Sequence, residues 1–293
     1  MRVAHLILTY TDPQQTERMI TILSNPDFDF YIHVDKKIDI TPHLYLGNLP
    51  NVYLIKNRVE VRWAGHNTVL ATFSCIKEIA NSGKQYDYIN FLSGQDYPIK
   101  SPIYIRNFLA THKGKEFIEA INIAKNCEED LPKLTRYHFV NFKFKGKHRL
   151  ESVCNFLLGK RKIPNNLTIY GKAMFWMLTI EAALYVVNTV EQSNTYTNFF
   201  EYSWGCDEFV FQTILMNSHY KNKVVSNHYR YIDWSAGGPH PKLLGKEDFE
   251  KMIQTDNLFA RKFKASHDSE ILDLLDDCIK NSNDGAATTT HNI

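Results

Sequence analysis

The first third of the sequence alternates short apolar runs with amphipathic segments, and this alternation restricts the fold more than any other feature. Residues 2–10 (Arg-Val-Ala-His-Leu-Ile-Leu-Thr-Tyr) are almost continuously apolar. Such a run predicts a strand covered on both faces, as in a parallel sheet. Thr11-Asp12-Pro13 opens a predicted helix reaching about residue 23, with proline in its first turn. Further strands are expected at 29–35, 51–55 and 88–92, with a helix over 68–80 between the last two. The pattern predicts one α/β domain with an open mixed sheet flanked by helices, whose ligands sit beyond the carboxyl ends of the strands. Asp35 ends the second strand, and Asp96 follows the fourth in Ser93-Gly94-Gln95-Asp96-Tyr97-Pro98. With Trp63 in the 61–66 loop they form a candidate site.

The rest of the chain adds strands at 115–121 and 168–178, a helix from about 179, and a strand near 230 that runs into a Gly/Pro-rich loop. A short helix is expected from 248 and an amphipathic one over 268–279. The expected domain spans 1–280, and the polar residues 281–293 are expected to be a disordered tail. Between these elements lies Ser203-Trp204-Gly205-Cys206-Asp207-Glu208-Phe209. Apolar residues then recur at intervals of three and four, which predicts a helix with two acids at its mouth. Asp207 can cap the first turn. Glu208 would point out of an apolar wall, where a carboxylate can act as general base. Both acids also fit as simple partners of the helix dipole.

Composition narrows the function classes. A net charge of +2 gives no bulk field for nucleic acid. The five cysteines are odd in number and scattered, without zinc spacing, which predicts reduced thiols in a cytosolic protein. No apolar run reaches the ~20 residues of a membrane span, and no leader peptide is expected ahead of the first strand. No Gly-x-Gly-x-x-Gly and no phosphate-binding loop occurs, which excludes the common dehydrogenase and P-loop enzymes. A diphosphate would then be neutralised by a metal on paired acids or by side-chain cations. Asp27-Phe28-Asp29 precedes a strand, so it reads as a turn rather than a metal site. Arg261-Lys262, held between Phe259-Ala260 and Phe263, is the cationic candidate. Trp234 beside a Gly-Gly-Pro turn fits either a core position or an exposed face for a sugar ring. His240, between two prolines, reads as a hydrogen-bonding loop residue. Residues 142–162 are basic and aromatic. They read as a solvated face, or as a patch that meets an anionic membrane or a lipid-phosphate acceptor.

Five segments in this order resemble the Core-2/I-branching enzyme family, which comprises β-1,6-N-acetylglucosaminyltransferases and related peptide O-xylosyltransferases. They are Phe30-Tyr31-Ile32-His33-Val34-Asp35-Lys36-Lys37, Val61-Arg62-Trp63-Ala64-Gly65-His66, Tyr88-Ile89-Asn90-Phe91-Leu92-Ser93-Gly94-Gln95-Asp96-Tyr97-Pro98-Ile99-Lys100, Cys206-Asp207-Glu208-Phe209 and Leu258-Phe259-Ala260-Arg261-Lys262-Phe263. The resemblance implies a GT-A-type fold and an inverting, metal-independent transfer with no cofactor. Glu208 would be the base. Asp35, Trp63 and Asp96 would serve the UDP donor, with Trp63 on the uracil. Arg261 and Lys262 would hold the diphosphate, and Trp234 and Asp207 would face the acceptor.

The chain departs from the family where the branching enzymes carry a second diphosphate-binding arginine. Here that region reads Gly238-Pro239-His240-Pro241-Lys242, so His240, Lys242 or Arg261 would take its place. It also lacks the disulfides and anchor of the vertebrate enzymes, which implies a bacterial-type, cytoplasmic member in peripheral contact with the inner membrane. N-acetylglucosamine is the first expectation for the transferred sugar. Xylose, or a catalytically inactive sugar- or nucleotide-binding relative, is the alternative. The implied partners are a UDP-sugar and a glycan or lipid-linked oligosaccharide, not nucleic acid.

Overall fold

The computed structural model describes residues 1–288. Strands β1 (Val3–Thr9), β2 (Phe28–Val34), β3 (Val52–Leu54) and β4 (Tyr88–Ser93) pair in parallel. β7 (Tyr170–Thr179) joins β4 antiparallel, followed by β6 (Glu116–Asn122) and β8 (Val224–Val225). The resulting sheet is open and mixed, in the order β3-β2-β1-β4-β7-β6-β8. Successive side chains alternate between two buried layers: Leu6, Ile89 and Phe91 enter one, Val3, Ile7 and Leu92 the other. Both faces are covered, so these strands read as apolar runs rather than as alternating ones.

Helices His66–Ala80, Ile180–Glu191 and Val210–Met216 pack on the first face. Helices Pro13–Ile22, Pro102–Thr111 and Phe249–Ile253 cover the second, with the start of the helix Glu270–Thr288. The expected single α/β domain with an open mixed sheet flanked by helices is therefore present, with a second sheet that the sequence did not announce. Its strands β5 (Asp96–Pro98), β10 (Phe259–Arg261) and β9 (Arg230–Ile232) lie in the order β5-β10-β9. The segment read as a break after β4 is thus partly strand.

Two further differences bear on the site. The expected helix at Asp207 is a 3-10 turn, Cys206–Glu208, and the α-helix begins only at Val210. Phe209, at φ −129°, separates the two, and Asp207 makes no capping bond. The final helix continues past residue 281 to Thr288, and residues 289–293 of the expected tail lie outside the described residues. All five cysteines carry free thiols. Among the described residues no helix is long and apolar enough to cross a membrane.

Candidate active site

The carboxyl end of β2 organises one wall. Asp35 is buried there, and its Oδ1 accepts from the backbone N–H of Lys37 (2.9 Å) and of Val61 (3.2 Å). The buried His33 accepts from Val59 N–H at Nε2 (2.9 Å), which leaves the ring proton on Nδ1. Burial lowers its pKa to about 4, so the ring stays a neutral acceptor. The Arg58 guanidinium donates to the carbonyls of Val34, Asp35 and Ile38. These bonds fix the loop that carries Trp63, whose side chain is 63% exposed. Asp35 thus shapes the donor-side wall, with its carboxylate already engaged by the loop and by Lys37 Nζ at 3.3 Å.

The Trp63 loop is stitched to the segment bearing the acids. Ala64 adopts a left-handed φ of 58°, and its carbonyl accepts from Gly205 N–H at 2.8 Å. An alanine there costs about 1 kcal/mol, held in place by this contact. The Trp63 ring meets Trp204 edge-on at 5.1 Å between centroids and His240 at 6.1 Å. Trp63, the acid pair and the 238–242 loop, apart in sequence, therefore converge.

Glu208 is half-buried and sits over β7. The helix that follows is clamped to that strand: Thr213 Oγ1 accepts from Tyr170 N–H (3.1 Å) and donates to the Tyr170 carbonyl (2.9 Å). Such close approach requires Gly171. A Cβ at this position would overlap the Phe209 ring and come within 2.8 Å of the Glu208 carbonyl oxygen. Gly171→Ala is therefore expected to displace Glu208, lowering stability by about 1–3 kcal/mol and sugar transfer with it. Thermal unfolding and transfer rates check this, and a fully active, equally stable variant would show that the close approach is dispensable.

The environment of the acids differs from water. Burial pushes Asp207 up to about 6. Burial, then the neighbouring Asp207 charge, pushes Glu208 up to about 7, against the opposing pull of Lys133 and Lys172. Lys133 is anchored by Asp130 at 2.8 Å and lies 5.0 Å from the Trp204 ring. Neither lysine was singled out in the sequence: each stands alone in an ordinary Pro-Lys-Leu or Gly-Lys-Ala context, and only the fold brings it to the acid pair.

The cationic wall is built by the second sheet. Register places Arg261 of β10 opposite Asp96 of β5. Asp96 was expected to touch the donor, but its carboxylate is wholly buried and accepts from Ser93 N–H at 2.6 Å and from Ser93 Oγ. Its other oxygen faces Arg261 Nε at 3.5 Å, so any influence on a donor passes through Arg261. The Arg261 guanidinium carbon lies 4.2 Å from the centroid of the Phe175 ring, a cation–π contact. Beneath it the buried Arg230 donates to Asn90 Oδ1 and to the Phe91 carbonyl, each at 2.7 Å. Lys262 is half-buried, and burial, then the Arg261 charge, lowers its pKa.

Buried Gln15 secures this segment. Its Nε2 donates to the carbonyls of Gly94 (2.9 Å) and Phe263 (3.2 Å), and its Oε1 accepts from Ala265 N–H (2.8 Å). Phe175 and Gly171 both belong to β7, so the two walls stand on one strand, whose pairing with β6 shifts register between Lys172 and Trp176.

The remaining expected residues divide. Trp234 is 55% exposed at the turn, which removes the core alternative. Lys242 is engaged by Asp248 at 2.7 Å and Glu247 at 3.2 Å, which ties it away from a diphosphate. Arg161, read as part of the basic patch, is turned inward: it donates to the carbonyls of Leu134 and Asn198, both at 3.1 Å, and to Ser203 Oγ. It braces the loop before the acid pair.

The profile of the family described as Core-2/I-Branching enzyme matches residues 3–257. That span contains Asp35, Trp63, Asp96, Asp207, Glu208 and Trp234, and ends just before the basic pair. Xylosyltransferase 2 of Rattus norvegicus is 25% identical over 304 residues, covering 94% of this chain and 33% of that protein. Xylosyltransferase 1 of Homo sapiens is 24% identical over 301 residues, covering 94% and 30%. The chain thus spans about a third of the length of the curated relatives it matches. Among solved structures, a galactosyltransferase in complex with donor and acceptor sugar analogues overlays with a TM-score of 0.42 at 9% identity, covering 88% of this chain and 86% of that one. Mouse xyloside xylosyltransferase 1, in its apo form, gives 0.40 at 11% identity, covering 88% and 97%.

Proposed function

Because the chain belongs to the Core-2/I-branching enzyme family, we propose that it is a glycosyltransferase that moves a sugar from a UDP donor to a glycan hydroxyl in one inverting, metal-independent displacement. The observation that carries this reading is Glu208: a carboxyl raised to about 7, on the segment stitched to the Trp63 loop and over the strand whose Phe175 ring lies against the half-buried Arg261. A base with this pKa is matched to a proton released near neutral pH. The acceptor oxygen attacks the anomeric carbon as its proton passes to Glu208. The bond from that carbon to the β-phosphate oxygen breaks on the opposite face, and its electron pair leaves with UDP. Arg261 and Lys262 stabilise the charge that grows on the diphosphate.

In this reading Trp63 offers its exposed face to the uracil, and Asp35 holds the loop that presents it. Asp96 orients Arg261, Asp207 keeps the Glu208 proton affinity high, and Trp234 packs on the acceptor sugar. Of the candidates for the missing arginine, Arg261 fits best, since Lys242 is paired with acids.

N-acetylglucosamine is the first donor sugar proposed. Xylose is the second, because the curated relatives named above are xylosyltransferases. A thermal-shift panel of UDP-sugars distinguishes them: the true donor at a hundredfold excess over Kd should add about 2.7 kcal/mol of stability. Transfer is expected to continue in EDTA. Complete loss, restored by manganese, would replace the basic pair with a metal as the leaving-group partner. Slow UDP-sugar hydrolysis without acceptor separates an enzyme from an inactive sugar-binding relative, which would show none.

A further inference from the structure

The helix Lys147–Leu158 is amphipathic in the inverted sense. None of its residues is buried. Its polar side faces the protein: Glu151 accepts from Phe139 N–H at 2.9 Å, while Asn155 accepts from Tyr137 N–H at 2.8 Å and donates to the Tyr137 carbonyl at 2.9 Å. These bonds fix the rotation of the helix and turn its apolar side outward. Leu150 is 46% exposed, Val153 50%, Leu157 71% and Phe156 87%. At 3.6 residues per turn the four fall within an arc of about 120°. A helix that served only to close a core would present the opposite face.

The surroundings of this stripe are cationic. Seven of the chain's 34 Lys and Arg, and only one of its 32 Asp and Glu, lie between residues 142 and 162. The one acid, Glu151, is turned inward. Lys145, Arg149, Lys160 and Lys162 are exposed, and none of them joins an ion pair among the described residues. An outward apolar stripe rimmed by free cations is the pattern of a helix lying in a lipid–water interface.

We propose that this helix seats the protein on an anionic bilayer, with Val153, Phe156 and Leu157 in the acyl boundary and the four cations at the level of the lipid phosphates. Two alternatives fit less well. A protein partner would meet a rim dominated by Lys, a residue depleted at such interfaces. A second copy paired by a two-fold axis would set one basic rim against the other. The location matters as well. A cleft of about 400 Å³, lined by Lys37, Glu60, Arg62, Phe142, Phe144 and Lys147, joins the start of the helix to the Trp63 loop. A seated protein therefore holds that loop close to the membrane plane, whichever sugar is moved.

Vesicle co-sedimentation of the full chain tests this. Mixed phosphatidylcholine–phosphatidylglycerol vesicles are expected to bind it, and pure phosphatidylcholine at least tenfold less. Lys145→Glu/Arg149→Glu/Lys160→Glu should weaken binding about a hundredfold or more. Val153→Ser/Phe156→Ser/Leu157→Ser should abolish it, with the unfolding temperature unchanged because the side chains are exposed. A single Phe156→Trp variant gives an independent reading, its emission being quenched by brominated acyl chains. Absence of vesicle binding by the wild type, or binding unchanged in both triple variants, overturns the proposal. So does a concentration-dependent dimer, lost in the serine variant and formed without lipid, which would assign the stripe to a second copy.

Discussion

Replacing Glu208 with Gln is expected to lower sugar transfer by about 10²–10⁴ while leaving UDP affinity unchanged. The amide keeps the shape of the side chain and removes only its capacity to take a proton. The wild-type rate should rise with pH and reach half its plateau near 7, where Glu208 loses its proton. The Gln variant should show no such rise in whatever activity remains. Stability should move the other way. The Glu208 carboxyl ionises at about 7 in the folded protein against an ordinary 4.5, so the folded form holds a proton that the unfolded chain has lost between these values. Its stabilising contribution is complete below 4.5 and is lost as pH rises through 7. Glu208→Gln lacks this loss, and above pH 7 it should be more stable than the wild type by up to ~3 kcal/mol. Near-normal turnover by the variant would remove Glu208 from the role of base. A rate that does not depend on pH between 5 and 9, a window set by about two units either side of the Glu208 value, would do the same.

The second large effect is expected at Arg261. Arg261→Ala leaves the wholly buried Asp96 facing an unfilled space, and loss of one member of a buried pair costs about 3–5 kcal/mol. That loss would mix a folding defect with a binding defect, so the variant alone is uninformative. Asp96→Asn in the same chain removes the uncompensated charge, and the Arg261→Ala/Asp96→Asn protein should recover most of the unfolding temperature. Its affinity for UDP should stay about 10- to 100-fold below that of the wild type, the worth of one lost charge-assisted hydrogen bond at about 1.5–3 kcal/mol. Calorimetric titration with UDP makes the distinction. Wild-type affinity in the double variant would confine Arg261 to a structural role beside Phe175.

How far the sequence foretold these walls depends on the length of each signal. β1, β2 and β4 were legible because each is a run of six or seven nearly continuous buried residues. β5 and β10 were not, because three residues each carry no readable period, and β9, legible as a strand near 230, gave no sign of its place in a second sheet. The chemistry of Asp96 was misjudged for that reason: a residue placed in a loop is assumed to be reachable, whereas a residue in a strand paired with β10 is not. The acid pair was found, but the helix expected to begin at Asp207 is interrupted at Phe209, and its ring is held over Gly171 from a strand almost forty residues earlier. Arg161 and the outward stripe at Val153 and Phe156 share a different cause. Composition shows that a segment is basic and apolar but not which side turns in, and here hydrogen bonds from Glu151 and Asn155 decide it.

β10 is the middle strand of the second sheet, with β5 on one side and β9 on the other. It is also among the last elements of the chain, and Gln15 ties its continuation to the first helix across about 250 residues. A fragment ending before Phe259 would carry Glu208 and Trp63 yet lack Arg261 and Lys262, the cations proposed for the leaving group. It would also present two unpaired strand edges to solvent, the usual template for aggregation. Shortening this chain to residues 3–257, the span that the family profile matches, is thus expected to give an insoluble protein rather than a smaller enzyme.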